Sequence, residues 1–251
     1  ALLLYIILYI YINLLFFWDF LFSSHIIDTH LMLSDKVLAL VASSVIKKGY
    51  NNNGLTYQGN GYNIETIFKQ GYINVVQISK NNQNTFMLCQ EGSQRTSDYL
   101  TDLEAMNSSK KKKVKNYSGK VTKTMWDEYT KYRDYYENFV NNFKDEGELV
   151  FAGHSLGGAV AGIAGGMLNV KTILLAPVPF MAHSNWSKNY STHPVSYVNP
   201  TDPCCSDRIG ISWKAGNHIG KQWIYNGTGM DSHKISSFVD YFEDQVDFSI
   251  L

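Results

Sequence analysis

The residues best suited to chemistry form the pentapeptide Gly153-His154-Ser155-Leu156-Gly157. It fits the pattern G-x-S-x-G, in which a serine is presented on a sharp turn from a strand to a helix. The glycines leave room for the strained backbone that such a turn requires. The backbone N–H of Leu156 can then point at the oxyanion that forms when an ester carbonyl is attacked. The pattern therefore predicts that Ser155 is a nucleophile.

The segments on either side of this pentapeptide have the patterns that the turn needs. Glu148–Ala152 is typical of a short buried strand, and the small residues of Gly158–Gly166 favour a tightly packed helix. The other predicted elements are a helix over Asp35–Lys48, a loop over Asn51–Gly54, strands over Ile73–Ser79 and Thr85–Gln90, a long helix with an apolar stripe from Trp126 to Phe143, and a helix over Ile235–Phe242. The alternation of strands and helices predicts an α/β fold with a mainly parallel sheet covered by helices.

An acid that orients the catalytic base should follow the nucleophile in the chain, since α/β-hydrolases have the order serine, acid, histidine. Val195–Asn199 is typical of a strand, and Asp202 lies in the loop that leaves its end. Asp207 lies five positions further on and is the competing candidate. We favour Asp202 because it is nearer to the end of the strand.

Two histidines downstream of Asp202 compete for the role of base. His218 leads into the strand-like Lys221–Tyr225, which indicates a structural role. His233 lies in a loop before the last predicted helix. A loop base after the last strand has the required geometry, so we predict that His233 is the base.

Composition limits the other possibilities. A chain of 251 residues suits one α/β domain. Lys and Arg together number 22, equal to Asp and Glu, so the charge does not favour a nucleic-acid partner. The three cysteines, Cys89, Cys204 and Cys205, leave at most one disulfide. The histidine and cysteine positions lack the spacing of metal ligands, and we predict neither a metal nor a cofactor.

The N-terminal segment Ala1–Phe22 is almost entirely apolar, with Asn13 and Asp19 as the interruptions. A run of about 20 apolar residues can span a bilayer as a helix, whereas the apolar part of a signal peptide usually has about 7 to 15. We favour a membrane anchor over a signal peptide and over a buried helix. The predicted organisation is therefore a hydrophobic N-terminal segment over 1–34 and a catalytic domain over 35–251, with a membrane-associated or secretory location.

A run of five lysines within Lys110–Lys115 is the strongest local concentration of charge. Such a run could bind anionic lipid headgroups. More often a block of like charges forms a solvated loop, and this is the interpretation that we favour.

The motifs in combination resemble those of the class 3 lipase family, which includes fungal-type triacylglycerol lipases. Phe151–Ala159 is similar to the nucleophile region of that family, and Tyr197–Asp202 is similar to its acid motif. Asn217–Gly220 resembles its non-catalytic histidine-glycine motif, and His233 resembles its final histidine. The resemblance covers about residues 35–243. It implies an α/β-hydrolase fold and hydrolysis of lipid esters through Ser155, Asp202 and His233.

The resemblance also implies a second oxyanion donor. The family has an Arg-Gly-Ser or Arg-Gly-Thr triplet at the end of the strand before its lid, and the hydroxyl residue completes the oxyanion hole. Here the triplet is Glu91-Gly92-Ser93, so Ser93 is the expected donor beside Leu156, and Glu91 replaces the arginine. The expected lid, Gln94–Asp98, is short and polar, unlike the apolar lids that open at an oil surface.

The short polar lid leaves several substrates open. Acylglycerols are the expected substrates, with a membrane or a lipid–water interface as the expected partner. Phospholipids, smaller esters and acyl transfer through the same triad are alternatives. A non-catalytic lipid-binding protein is the alternative of a different class, and the complete set Ser155, Asp202 and His233 favours the enzyme.

Overall fold

The computed structural model describes residues 33–93, 111–115, 120–180, 188–192, 194–202, 219–225, 227–246 and 248–250. The predicted anchor Ala1–Phe22 and the predicted lid Gln94–Asp98 lie outside these ranges, so the division of the chain at residue 34 stays a prediction. None of the helices within the ranges is long and apolar enough to cross a membrane.

A mixed sheet runs through the centre of the fold. The strands of the described ranges are β1 (Thr56–Gly59), β2 (Tyr62–Gln70), β3 (Ile73–Lys80), β4 (Gln83–Gln90), β5 (Lys111–Lys113), β6 (Lys120–Thr122), β7 (Glu148–His154), β8 (Lys171–Leu175), β9 (Val195–Val198) and β10 (Lys221–Trp223). Eight of them form one sheet in the order β1-β2-β3-β4-β7-β8-β9-β10, and β5 pairs with β6. The pairing is antiparallel from β1 to β4 and parallel from β4 to β10. This confirms the predicted α/β-hydrolase fold.

Two parts of this topology differ from the sequence-based prediction. The hairpin of β1 and β2 was not predicted, because its residues are mostly polar and its alternation of buried apolar and exposed polar residues is confined to the short stretch Tyr62–Glu65. The lysine run was predicted as a solvated loop, but Lys111–Lys113 form a strand because they pair with β6. The prediction that the run is solvated holds for Lys112, Lys113 and Lys115, whose side chains are exposed.

Helices cover both faces of the sheet. They are α1 (Asp35–Tyr50), α2 (Lys123–Phe143), α3 (Ser155–Leu168) and α4 (Ile235–Glu243). Along β4, Phe86 stacks on Phe143 of α2, whereas Cys89 lies on the opposite face because side chains alternate along a strand. On that face α1 packs against the strands and against α4, while α3 packs against α2.

The first helix begins and ends for local reasons. The Ser34 hydroxyl accepts a hydrogen bond from the backbone N–H of Val37 at 3.3 Å, which caps the N-terminus. Asp35 in the first turn and Lys48 in the last turn interact favourably with the helix dipole. The helix extends past Gly49 to Tyr50, two residues beyond the predicted end at Lys48. This small extension matters because Tyr50 reaches the catalytic region.

Phe151 of β7 is a central residue of the core. It is fully buried, and its ring packs against Tyr136 and Phe139 of α2 with centroids 4.7 and 5.7 Å away. The aromatic stripe of α2 thus holds the strand that ends at the predicted nucleophile.

We expect Phe151→Ala to lower the free energy of unfolding by about 3–5 kcal/mol, since it removes a buried ring and leaves a cavity. Phe68→Ala is the matched control, because Phe68 is 42% exposed, and its loss should be below about 1 kcal/mol. Urea denaturation followed by circular dichroism measures both. Equal losses would show that Phe151 does not have this role in the core.

Candidate active site

A strained turn presents Ser155 at the end of β7. Ser155 has φ of 56°, in the left-handed region that L-residues rarely adopt, and α3 begins at this residue. Strain of this kind costs about 1–3 kcal/mol and persists only where the surroundings enforce it. Here the parallel strands on either side of β7 and the helix that follows Ser155 fix the turn.

Glycines allow the turn to lie directly against the end of β4. A Cβ added to Gly157 would lie 2.4 Å from the carbonyl oxygen of Glu91. A Cβ added to Gly92 would lie 2.7 Å from the Cβ of Ser155. These distances are too short for any side chain, so both positions require glycine. The backbone that leads to Ser93 is therefore in contact with the turn that carries Ser155.

The structure brings Ser155, His233 and Asp202 together. His233 Nε2 lies 3.0 Å from Ser155 Oγ, and His233 Nδ1 lies 2.7 Å from Asp202 Oδ2. An ionised carboxylate only accepts, so His233 Nδ1–H donates to Asp202. Nε2 then carries the lone pair and can accept the proton of the Ser155 hydroxyl. All three residues are buried.

Two short turns place the acid and the base. Asp202 follows β9, where its N–H donates to the carbonyl of Asn199 at 3.1 Å and the side chain of Asn199 accepts from the N–H of Thr201. His233 ends a 3₁₀ turn over Gly229–His233, just before α4. The competing candidates Asp207 and His218 lie outside the described residues.

The predicted oxyanion donors belong to adjacent segments. Leu156 is the second residue of α3, and a Cβ on Gly92 would lie 3.4 Å from its backbone nitrogen. Ser93, half-buried, follows Gly92 directly. The two residues are thus neighbours in space, while their role as donors stays a prediction.

Glu91, which occupies the position where the resembled family has an arginine, has a partner of opposite charge. Its buried carboxylate accepts from Asn74 Nδ2 at 2.8 Å and pairs with Lys69 Nζ at 3.2 Å. Lys69 also donates to the carbonyl of Gly49 at the end of α1. The negative charge beside the catalytic turn is therefore compensated by a lysine on β2. Lys69 could not be predicted from the motif, because it lies 22 residues before Glu91.

A second histidine, His154, is buried next to the triad. Its Nδ1 lies 2.8 Å from the hydroxyl of Tyr50, and its Nε2 lies 2.8 Å from the carbonyl oxygen of His233. Burial, and to a lesser extent the positive charge of nearby His233 in its protonated form, lower the pKa of His154 from 6.5 to about 3. His154 is therefore neutral at physiological pH. The G-x-S-x-G motif contains this residue, but the motif says nothing about its contacts.

Cys89 is the one cysteine among the described residues, and we assign it no catalytic role. Cys89 is a buried free thiol on β4, and burial raises its pKa well above the ordinary value. Cys204 and Cys205 lie outside the described residues.

Comparison with solved structures finds the same fold. The Rhizomucor miehei lipase–propeptide complex has a TM-score of 0.55 and 18% identity, covering 84% of this chain and 80% of that chain. A lipase from Rhizopus microsporus var. chinensis has a TM-score of 0.54 and 15% identity, covering 83% and 85%. A triacylglycerol lipase from Penicillium expansum has a TM-score of 0.53 and 15% identity, covering 76% and 79%. A search of curated proteins finds no match.

The fold and the Ser155–His233–Asp202 geometry define a serine hydrolase of the α/β-hydrolase class. The family model described as lipase (class 3) matches residues 87–181, which contain the end of β4 and all of α2, β7, α3 and β8.

The depressed pKa of His154 has a consequence for stability. The unfolded chain protonates this side chain near pH 6.5, whereas the folded protein does so only near pH 3. Between these values the unfolded state binds more protons, so stability falls as the pH drops from about 6.5 towards 3. His154→Asn removes this contribution. We therefore expect the decrease in Tm from pH 7 to pH 4 to be smaller in the variant than in the wild type, as measured by differential scanning calorimetry. Decreases of the same size would contradict the prediction.

Proposed function

We propose that this protein is a lipase that hydrolyses acylglycerol esters through an acyl-enzyme intermediate on Ser155. The observation that carries the proposal is the hydrogen-bonded line from Asp202 through His233 to Ser155 at the strained turn. Such a line is the arrangement that activates a serine hydroxyl for attack on a carbonyl. The family match and the named lipase structures support an ester of a lipid as the substrate class.

Acylation begins when Ser155 Oγ attacks the ester carbonyl carbon and His233 Nε2 accepts the hydroxyl proton. The imidazolium that forms is stabilised by Asp202, whose carboxylate accepts from Nδ1–H. When the tetrahedral intermediate collapses, the bond to the alcohol breaks and His233 gives its proton to the leaving oxygen. The alcohol departs, and the acyl group stays on Ser155.

Deacylation repeats these steps with water as the nucleophile. His233 Nε2 accepts a proton from the water that attacks the acyl carbonyl. The bond between the acyl carbon and Ser155 Oγ then breaks, His233 returns the proton to Oγ, and the carboxylic acid leaves. In both steps the oxyanion would be bound by the backbone N–H of Leu156 and by Ser93. Donors fixed before the reaction need no reorganisation when the charge develops, which is the origin of their large effect on rate.

Ser155→Ala should abolish hydrolysis of p-nitrophenyl butyrate and covalent labelling by a fluorophosphonate, because it removes the nucleophile. Ser43→Ala is the control, since Ser43 is also a buried serine but bonds within α1 to the carbonyl of Leu40. Intact-mass spectrometry after labelling measures the adduct. Labelling of folded Ser155→Ala, or the absence of labelling in wild type, would overturn the assignment.

Ser93→Ala should lower kcat by about a hundredfold to a thousandfold with little change in KM, as loss of one oxyanion donor does elsewhere. The measurement is steady-state kinetics on the same ester, with circular dichroism to verify folding. Activity within about threefold of wild type would exclude Ser93 as a donor.

We further propose that the lysine hairpin, formed by residues 111–115 and 120–122, docks on anionic lipid. It carries the exposed side chains of Lys112, Lys113, Lys115 and Lys120. Lysines near an anionic membrane surface contribute about 1 kcal/mol each to binding. The sequence pattern alone favoured a solvated loop without a binding role for the lysine run. The location of the hairpin instead supports a role in binding.

The hairpin lies at the same edge of the sheet as the triad. The N–H of Thr122 donates to the carbonyl of Phe180, which follows the carboxyl end of β8. From the same segment, Val178 donates to the carbonyl of Ser155 at 3.1 Å. The exposed Trp223 ends β10, which is parallel to β9, and so lies at this edge as well. An anionic lipid surface that bound the lysines would therefore lie near Ser155.

The lysine hairpin is tested by the variant Lys112→Gln/Lys113→Gln/Lys120→Gln. On vesicles that carry a fluorogenic lipid ester, we expect the ratio of the rate on phosphatidylserine vesicles to that on phosphatidylcholine vesicles to fall at least about tenfold. The rate on soluble p-nitrophenyl butyrate should not change, which separates docking from catalysis.

In a matched control variant, three exposed lysines at the opposite edge of the sheet are replaced by glutamine in the same way. They are Lys36, Lys144 and Lys188. Lys36 lies in the first turn of α1, Lys144 follows α2 and precedes β7, and Lys188 precedes β9. The control variant should keep the wild-type ratio. Equal effects of the two triple variants would indicate a general effect of net charge and contradict the docking site.

For the location of the protein, we propose that Ala1–Phe22 tethers the catalytic domain to a membrane. The apolar length of the segment supports this proposal. If a variant that lacks these residues still sediments with membranes after a high-salt wash, the tether is not this segment.

A further inference from the structure

A chain of three hydrogen bonds connects the segment beside Ser93 to the backbone of His233. The N–H of Gly92 lies 3.0 Å from the Tyr50 hydroxyl oxygen. That hydroxyl lies 2.8 Å from His154 Nδ1, and His154 Nε2 lies 2.8 Å from the carbonyl oxygen of His233. The chain joins the end of α1, the end of β4, the end of β7 and the 3₁₀ turn.

The hydrogens along this chain have one consistent assignment for a neutral imidazole. The carbonyl of His233 has no hydrogen to give, so His154 Nε2 must donate to it. A neutral imidazole carries one N–H, so Nδ1 accepts, and the hydroxyl of Tyr50 must be its donor. The oxygen of Tyr50 then accepts from Gly92. Every donor and acceptor is used once, and all the bonds point in the same direction.

His154 is buried and Tyr50 is partly buried, and this environment favours the protonation states that the assignment requires. The imidazole of His154 is 5% exposed, and burial strongly favours its neutral form, which the assignment requires. Burial also raises the pKa of Tyr50 well above its ordinary value, so the hydroxyl keeps its proton. The rings of Tyr50 and His154 meet edge to face, with an interplanar angle of 80°. Neither side chain changes charge during turnover near neutral pH.

We propose that Tyr50 and His154 are positioning residues that fix the Ser93 segment and His233 relative to Ser155. His154 is the residue before Ser155, so its ring is anchored to the same strained turn. From that anchor one nitrogen holds the backbone of the base, and the other holds Gly92 through Tyr50. This proposal rests on the lipase function proposed above, because it explains how the groups of that active site are held at fixed positions.

The energetic expectation follows from the geometry. Displacement of a catalytic group by about 1 Å can cost about a hundredfold in rate. Tyr50→Phe removes one hydroxyl and leaves the ring in place, so the displacement should be smaller. We expect a decrease in kcat of about tenfold with KM within about twofold, because groups that act in the transition state are displaced and substrate binding is not.

Tyr190→Phe is the matched control. Tyr190 is buried, and its hydroxyl donates to the carbonyl of Gly162 on α3 at 2.5 Å. Both variants lose one buried hydroxyl, so both should lower Tm by similar amounts. Only Tyr50→Phe should lower kcat on p-nitrophenyl butyrate. A kcat for Tyr50→Phe equal to that of Tyr190→Phe would overturn the proposal.

Variants of His154 test the connection itself. His154→Gln keeps an amide N–H near the position of Nε2, whereas His154→Leu keeps no polar atom, so Gln should retain more activity than Leu. When Tyr50→Phe is added to His154→Leu, kcat should fall by a further factor of less than about two. The effects of substitutions at residues that act as one unit are not additive. Additive losses would show that the two residues act separately.

Two further readouts separate the failure of this inference from failure of the lipase function. Wild type that neither hydrolyses the ester nor is labelled at Ser155 would overturn the proposed function. Nitrogen-15 NMR of histidine-labelled protein tests the chain without activity: His154 should have a protonated Nε2 and an unprotonated Nδ1 from pH 5 to pH 8. The opposite tautomer would overturn the assignment of the hydrogens, and with it the proposal.

Discussion

The close contact between the turn at Ser155 and the end of β4 is the constraint on which the rest of the site depends. Ser155 is held at positive φ, and Gly157 and Gly92 are the residues that let the two backbones meet. Any side chain at either glycine would push the segment that leads to Ser93 away from the turn that carries Ser155. The core behind this contact supports it, because Phe151 and the aromatic stripe of α2 fix the strand that carries the turn.

The electrostatics near this contact are set by burial and by pairing. The class 3 lipase family, which the motifs resemble, has an arginine at the position before Gly92, and here Glu91 takes its place with Lys69 as partner. A buried carboxylate without a partner would be strongly unfavourable next to a site where negative charge must develop. The pair with Lys69 and the hydrogen bond from Asn74 remove that difficulty. The substitution at Glu91 is thus compatible with catalysis because the compensating charge comes from a neighbouring strand.

The sequence predicted the parts of the site that are encoded locally. The turn at Ser155 is a five-residue motif, and the order of Asp202 and His233 along the chain follows from the succession of strands and loops. The tertiary contacts were not predictable in this way. Tyr50 meets His154 across 104 positions, and His154 meets His233 across 79. No local pattern marks such pairs, since each depends on how far α1 extends and on where β7 and the 3₁₀ turn end. The β1–β2 hairpin was missed for a related reason, because exposed polar strands carry little apolar periodicity.

The direction of the strands explains why so many functional features occur at one edge of the sheet. From β4 to β10 the strands are parallel, so their carboxyl ends coincide. Ser155 follows β7, Asp202 follows β9, and the segment after β8 holds the lysine hairpin through Phe180. Helix α1 runs so that its last residue, Tyr50, reaches the same edge. The chain of hydrogen bonds through His154 starts at the residue before Ser155, and burial keeps the imidazole of His154 neutral.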